Sequence, residues 1–151
     1  MSELANSHLL QVIDLKTHFF VSRGTLKAVD GVSFYLNKSE VLGLVGESAC
    51  GKSVTGLSLM RLIEPPGKIV GGQILLNGED LLKLKEKELL RIRGRQITMI
   101  QQNPDTSLNP VFRINDQIAE AIKTHRKLEK ETLYKKVIEL LRLVRIPSGG
   151  A

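Results

Sequence analysis

The octapeptide Gly46-Glu47-Ser48-Ala49-Cys50-Gly51-Lys52-Ser53 constrains this chain more than any other stretch. It follows the apolar run Val41-Leu42-Gly43-Leu44-Val45 and precedes Val54-Thr55-Gly56-Leu57-Ser58-Leu59-Met60, so it reads as a turn between a strand and a helix. It matches the phosphate-loop pattern G-x-x-x-x-G-K-[ST] in the context that pattern requires. Four fixed positions drawn from average composition would match by accident in roughly half a per cent of chains this long. In such a loop, consecutive backbone N–H groups and the positive end of the following helix surround a phosphate more compactly than any side chain could. Lys52 then reaches the β and γ phosphates, and the Ser53 hydroxyl can ligate Mg²⁺. Gly46 to Ser53 is therefore expected to cradle the terminal phosphates of a nucleotide.

The flanking segments supply an α/β context. Leu9 to Leu15 and Ala28 to Leu36 read as two strands with Ser22-Arg23-Gly24 as a turn signal between them, an antiparallel start. Asn37 to Glu40 turns the chain into Val41 to Val45, whose unbroken apolar character predicts a strand covered on both faces. The loop lies at its carboxyl end, where open α/β sheets bind ligands. The helix from Ser53 places Val54, Leu57, Met60 and Ile63 at spacings of three, and Pro65-Pro66-Gly67 forbids its continuation. Gly71-Gly72 leads into a strand from Gln73 to Leu76, closed by the tight-turn pair Asn77-Gly78. Leu81 to Arg93 is expected to be helical, Gln96 to Ile100 a further buried strand, and Gln101 to Pro110 a polar loop.

Beyond that loop the pattern is purely helical. Ile114, Ile118, Ala119 and Ile122 form one stripe with Asn115 as N-cap, and Leu133, Val137, Leu140, Leu141 and Val144 form a second. The expected fold class is α/β, the core half of a P-loop NTPase (RecA-like) with an antiparallel β start, followed by the beginning of a helical subdomain. The boundary falls near Phe112, giving parts 1–112 and 113–151.

Composition narrows the classes further. At 151 residues, 42% hydrophobic and 25% charged, the chain can bury a real core. No apolar run approaches the roughly 18 residues that cross a bilayer, and Met1 to Leu15 lacks the features of a secretory signal, so a cytosolic location is expected. The single cysteine, Cys50, excludes an internal disulfide. Of the net charge of +6, Lys123 to Arg145 contributes +5, eight Lys or Arg against three Glu. These cations are interleaved with helical apolar positions, and the chain holds two Tyr, four Phe and no Trp for base stacking, so a solvated helix face is favoured over a nucleic-acid site.

Three segments together carry a family resemblance: Ala28-Val29-Asp30-Gly31-Val32-Ser33-Phe34, Gly43-Leu44-Val45-Gly46-Glu47-Ser48, and Thr106-Ser107-Leu108-Asn109-Pro110 after Gln102. From about Leu9 to Ile146 the chain resembles the ATP-binding subunits of ABC transporters, most closely the oligopeptide and dipeptide importer branch. The resemblance implies ATP and Mg²⁺ as cofactors, transmembrane permease subunits and a second ATP-binding subunit as partners, and a peripheral place on the cytoplasmic face of the inner membrane. It implies that Gln102 is the glutamine that contacts Mg²⁺ and the attacking water, and that Phe19 stacks on adenine, with neighbouring Phe20 able to serve instead. It also implies that Ser107 to Pro110 faces the permease.

Departures from the family pattern accompany it. Ala49 and Ser39 stand where glycine is usual, and a left-handed backbone at Ala49 would cost about 1 to 2 kcal/mol, expected to weaken nucleotide binding. Gln101 stands where an aromatic is common. Hydrolysis needs a carboxylate for Mg²⁺ and a group that positions the nucleophile. The family supplies both from an apolar strand ending in Asp-Glu, whereas the expected strands here end at Gly46, Asn77 and Gln101. The family's switch histidine has no counterpart in His8, His18 or His125. Ser148-Gly149-Gly150 looks like the core of the family signature but lacks its flanking Leu and Gln, and is expected to be a frayed terminus. These features leave two readings: the amino-terminal portion of an importer's ATPase, or a truncated Mg-ATP-binding module that does not hydrolyse.

Overall fold

A computed structural model describes residues 8–102 and 107–146 of the chain. These fall into two compact units, Met1–Arg93 and Gly94–Ala151. The expectations for residues 103–106 of the polar loop and for Ser148-Gly149-Gly150 lie outside the described residues.

The first unit is built on strands β1 (Leu10–Val21), β2 (Gly24–Leu36), β3 (Gly67–Leu76) and β4 (Glu79–Asp80), with sheet order β2-β1-β3-β4 and every pairing antiparallel. Strand β1 runs six residues past the end read from its alternation, and the reason is a bulge. Leu10 and Val12 are buried, then the phase slips by one residue and Leu15 and Thr17 are buried. Asp14 absorbs the slip with φ +47°, and the register with both neighbours shifts there. One face of β1 thus stays covered from Leu10 to Thr17, although strict alternation in the sequence breaks at Asp14. On β2 next to it, the Lys27 ammonium, and after it the His18 ring, hold the Asp30 carboxyl below its ordinary range.

Helix α1 (Lys52–Leu59) follows the loop, and it turns a different face to the sheet from the one expected. Thr55 and Ser58 are buried while Val54 and Leu57 are only half-covered. The Ser58 and Thr17 hydroxyls meet at 2.8 Å, both with no exposed surface, so small polar groups allow close approach of helix to strand and satisfy each other. Helix α2 (Glu86–Ile92) is shorter than the expected Leu81 to Arg93. The Leu81 N–H donates to Ile74 O at 2.8 Å, and Asp80 Oδ1 accepts from the Leu82 N–H at 3.1 Å, which pins the first residues to the sheet edge instead of a helix.

Two expected strands are not formed. Among the described residues nothing pairs with Val41 to Val45, and Val41 is 96% and Val45 93% exposed. An apolar run records which side chains require cover, but a strand needs ladder partners, and the antiparallel sheet takes none from this segment. Gln96 to Ile100 is also unpaired beyond Ile97, whose carbonyl accepts from the Gly94 N–H at 2.9 Å in a tight turn.

In the second unit, α3 (Ile114–His125) and α4 (Lys130–Leu143) form a hairpin. Ala119, Leu133 and Val137 are its buried centre, packed by Ile118, Ile122 and Leu141 from the stripes read in the sequence and by Leu128 from the connection, which neither stripe included. The N-cap is Arg113 rather than Asn115, whose Oδ1 accepts from the next backbone N–H at 3.0 Å.

Candidate functional site

The loop Gly46 to Ser53 hangs between the exposed segment ending at Val45 and the start of α1, and its shape is set by two glycines. Gly51 has φ +94°, and a Cβ there would lie 2.1 Å from the Ala28 carbonyl oxygen of β2. Only glycine tolerates both the left-handed backbone and that approach. The base of the loop is thereby seated on the sheet. A Cβ on Gly46 would lie 2.7 Å from Cys50 Sγ and 3.9 Å from Lys52 Nζ, so the missing side chain opens the concave side of the loop.

Lys52 folds back into that space. Its ammonium donates to Gly46 O at 2.7 Å and to Glu47 O at 2.5 Å, and lies 3.3 Å from Cys50 Sγ. The positive charge is therefore held inside the loop at an exposed position. At the start of α1 no side chain caps the helix and no acid occupies the first turn, so the first-turn N–H groups and the positive end of the helix carry no internal anion. Thr55 braces the same turn from behind, its N–H and Oγ1 both donating to Gly51 O at 2.8 and 3.0 Å.

The departures from the usual glycines are left-handed in fact. Ala49 has φ +64° and Ser39 φ +61°, the latter within a turn where the Asn37 N–H donates to Glu40 Oε2 at 2.7 Å. Ser48, Cys50 and Ser53 are exposed or partly so, with the Ser53 side chain at the solvent. The chemistry of this donor set, an ammonium, uncapped helix N–H groups and an alcohol, suits an anion such as phosphate.

Not every predicted residue joins the loop. Phe19 is placed by β1, paired with Leu26 on β2 and Gly67 on β3, and its ring edge covers Gly67, where a Cβ would lie 2.8 Å from it. The neighbouring Phe20 leaves 48% of its surface free. Gln102 is exposed and belongs to the second unit. Sequence reasoning missed the supports: Thr17, Thr55, Ser58 and the Ala28 carbonyl. The signal for two of them was present, since Thr55 and Ser58 are small polar residues three apart among the apolar positions Val54, Leu57 and Leu59 of the helix.

Comparison with known proteins places this geometry. Residues 29–148 match the ABC transporter family. The chain is 46% identical over 139 residues to the probable peptide ABC transporter ATP-binding protein of Sinorhizobium fredii, a match covering 91% of this chain and 42% of the relative. It is 47% identical over 142 residues to the oligopeptide transport ATP-binding protein OppD of Bacillus subtilis, 93% of this chain and 40% of the relative. Against the dipeptide transport ATP-binding protein DppD of the same organism the figures are 46% over 143 residues, 94% and 43%. The chain thus spans about two-fifths of the length of these curated relatives. The fold is similar to that of a bacterial ABC transporter cassette in its dimeric structure, with TM-score 0.79 at 18% identity, covering 92% of this chain and 58% of the other.

Proposed function

We propose, from the premise that this chain belongs to the ABC transporter family, that it is the nucleotide-binding amino-terminal portion of the ATPase subunit that powers an importer of oligopeptides or dipeptides. The observation that carries the reading is the loop Gly46 to Ser53, with the Lys52 ammonium drawn inside it beside an uncapped helix start. Mg-ATP, when bound, supplies the phosphoanhydride whose cleavage drives transport and the divalent cation that screens its charge. The chain's own residues hold it: the main chain from Gly46 through Glu47, Ser48, Ala49, Cys50 and Gly51 surrounds the phosphates, Lys52 neutralises them, and the Ser53 hydroxyl is offered to Mg²⁺. Binding shifts the Lys52 ammonium from two carbonyls to a stronger anionic acceptor. An aromatic of β1, Phe19 or Phe20, would stack on the adenine, and Gln102 would serve Mg²⁺ and the attacking water.

In this reading residues 1–112 provide the nucleotide site and residues 113–151 begin a helical subdomain; the self-contained core of the α3–α4 hairpin supports the second part, while the compact units divide earlier than Phe112, between Arg93 and Gly94. The partners in this reading are permease subunits and a second ATP-binding subunit, at the cytoplasmic face of the membrane. Among the described residues no helix is long and apolar enough to cross a membrane. For the 151 residues taken alone, a second reading is favoured by the sequence itself: binding without turnover, because no apolar run here ends in Asp-Glu.

Calorimetric titration of the chain with ATP, with and without Mg²⁺, tests both readings. Magnesium-dependent binding is expected, weakened about 10- to 100-fold in Lys52→Ala through loss of charge-assisted hydrogen bonds, and no phosphate release. Equal affinity in Lys52→Ala, or no binding by folded protein, overturns the first reading. Steady phosphate release overturns the second.

A further inference from the structure

We propose that Arg61 and Arg93 are positioning residues, two guanidinium groups that clamp the C-terminal end of α1 to α2 and so set the angle at which α1 presents its first-turn N–H groups to nucleotide phosphate. The inference rests on the nucleotide reading of the loop and adds to it residues at the opposite end of the helix. The Arg93 side chain, 17% exposed, reaches back from the end of α2, where Nε donates to Met60 O at 2.8 Å and Nη2 to Arg61 O at 3.0 Å. Arg61 grips the other end of the same element. Its Nη1 donates to Leu81 O at 3.0 Å and to Leu84 O at 2.7 Å, in the turns that lead into α2. The end of α1 is thus laced to both ends of α2.

A helix end leaves its last carbonyls without intrahelical partners. Here the backbone serves two of them, Ser58 O accepting from the Arg61 N–H at 3.0 Å and Leu57 O from the Leu62 N–H at 2.9 Å. That pattern calls for a left-handed residue just past the cap, a place where glycine is usual, and Arg61 occupies it at φ +51°. Glycine would close the turn without strain but could not reach Leu81 and Leu84, so the strain is matched by what the side chain holds. Helix α1 has no basic residue in its own last turn, and Arg93 supplies the cation that its negative end favours. Within α1 only Thr55 and Ser58 are buried, while Val54, Leu57 and Leu59 are half-covered. Hydrogen bonds fix direction where a thin apolar contact does not. The angle of α1 is therefore set at three stations: Gly51 against the Ala28 carbonyl, Ser58 on Thr17, and the clamp at the far end.

Calorimetric titration with Mg-ATP, at a temperature where circular dichroism shows each variant folded, tests the clamp. Arg93→Met should weaken binding about 3- to 30-fold, the range for residues that act on a site without touching its ligand. Glu86→Gln removes the ion pair at 2.6 Å on the exposed side of Arg93 but leaves both carbonyl contacts, and should stay within about twofold. Leu10→Ala, at the first residue of β1, lowers stability through lost burial and should also stay within about twofold. A merely structural Arg93 would leave the affinity of folded protein unchanged in all three. Unchanged affinity in Arg93→Met, or an equal loss in Glu86→Gln or Leu10→Ala, overturns the proposal. If Arg93→Met does not fold, Arg93→Lys decides, because an ammonium cannot span both carbonyls: a loss of about threefold or more supports the clamp and unchanged affinity overturns it. If the wild-type chain binds no ATP, the nucleotide reading falls and hydrogen exchange decides whether the clamp holds α1. The Thr55 to Leu59 amides should then exchange about fivefold faster in Arg93→Met than in wild type, relative to those of β1, and equal rates overturn it.

Discussion

Replacing Ala49 by glycine separates two places where loop strain could act. Ala49 is left-handed at φ +64° with no nucleotide present, so the strain already exists in the folded loop. For a residue with a Cβ that conformation costs about 1 to 2 kcal/mol. Ala49→Gly removes the cost but adds about 0.4 to 1 kcal/mol of unfolded-chain entropy. The net expectation is a gain of about 1 kcal/mol in stability, which in a unit the size of Met1–Arg93 raises the melting midpoint by about 4 to 8 °C. ATP affinity should not change, because the strain is common to the free and the bound loop. The expectation from the sequence, that Ala49 weakens nucleotide binding, is the competing outcome, in which the strain acts at binding instead of at folding. Thermal denaturation at low protein concentration and a parallel ATP titration check both halves. An unchanged midpoint with affinity raised about 5- to 30-fold would refute the reasoning, since it would mean that the loop adopts its left-handed turn only on binding.

Gly51→Ala should do the reverse, losing at least about 2 kcal/mol by urea denaturation, because the new Cβ falls 2.1 Å from the Ala28 carbonyl oxygen and φ is +94°. Ser58→Ala strands the buried Thr17 hydroxyl and should cost about 1 to 3 kcal/mol, while the double variant Thr17→Val/Ser58→Ala should cost less than the sum of the singles. Cys50 is exposed and 3.3 Å from the Lys52 ammonium, so it should be alkylated readily by iodoacetamide and slowed severalfold by saturating Mg-ATP; equal rates would exclude contact between nucleotide and this part of the loop. The exposed side chains of Val41, Val45 and Ile100 should drive association that rises with concentration in sedimentation velocity, reduced by Val41→Ser; a concentration-independent monomer would contradict this.

What could be read in advance divides along a physical line. Features coded by a few neighbouring residues were legible: the Gly-bounded loop with its lysine, the Asn77-Gly78 turn, and the two helical stripes that become the Ala119, Leu133 and Val137 core. Features that depend on partners distant in sequence were not. The close seat of α1 rests on a hydroxyl pair 41 residues apart, Thr17 and Ser58, and the loop's base rests on the Ala28 carbonyl, which no side-chain pattern can announce. The bulge at Asp14 hid half of β1 because a one-residue slip inverts the alternation while leaving the buried face intact. Val41 to Val45 is the instructive opposite, a strand signal without a strand. Its side chains carry the apolar run of a doubly covered position, yet Val41 and Val45 lie open and no ladder forms. The same segment leads directly into the phosphate loop, so the site's rigidity on that side is set by whatever pairs with it, while on the other side Gly51, Thr55 and Ser58 already fix the helix to the sheet. A perturbation at 41–45 should therefore alter how tightly the loop is held, and one at Thr17 or Ser58 should alter where it is held.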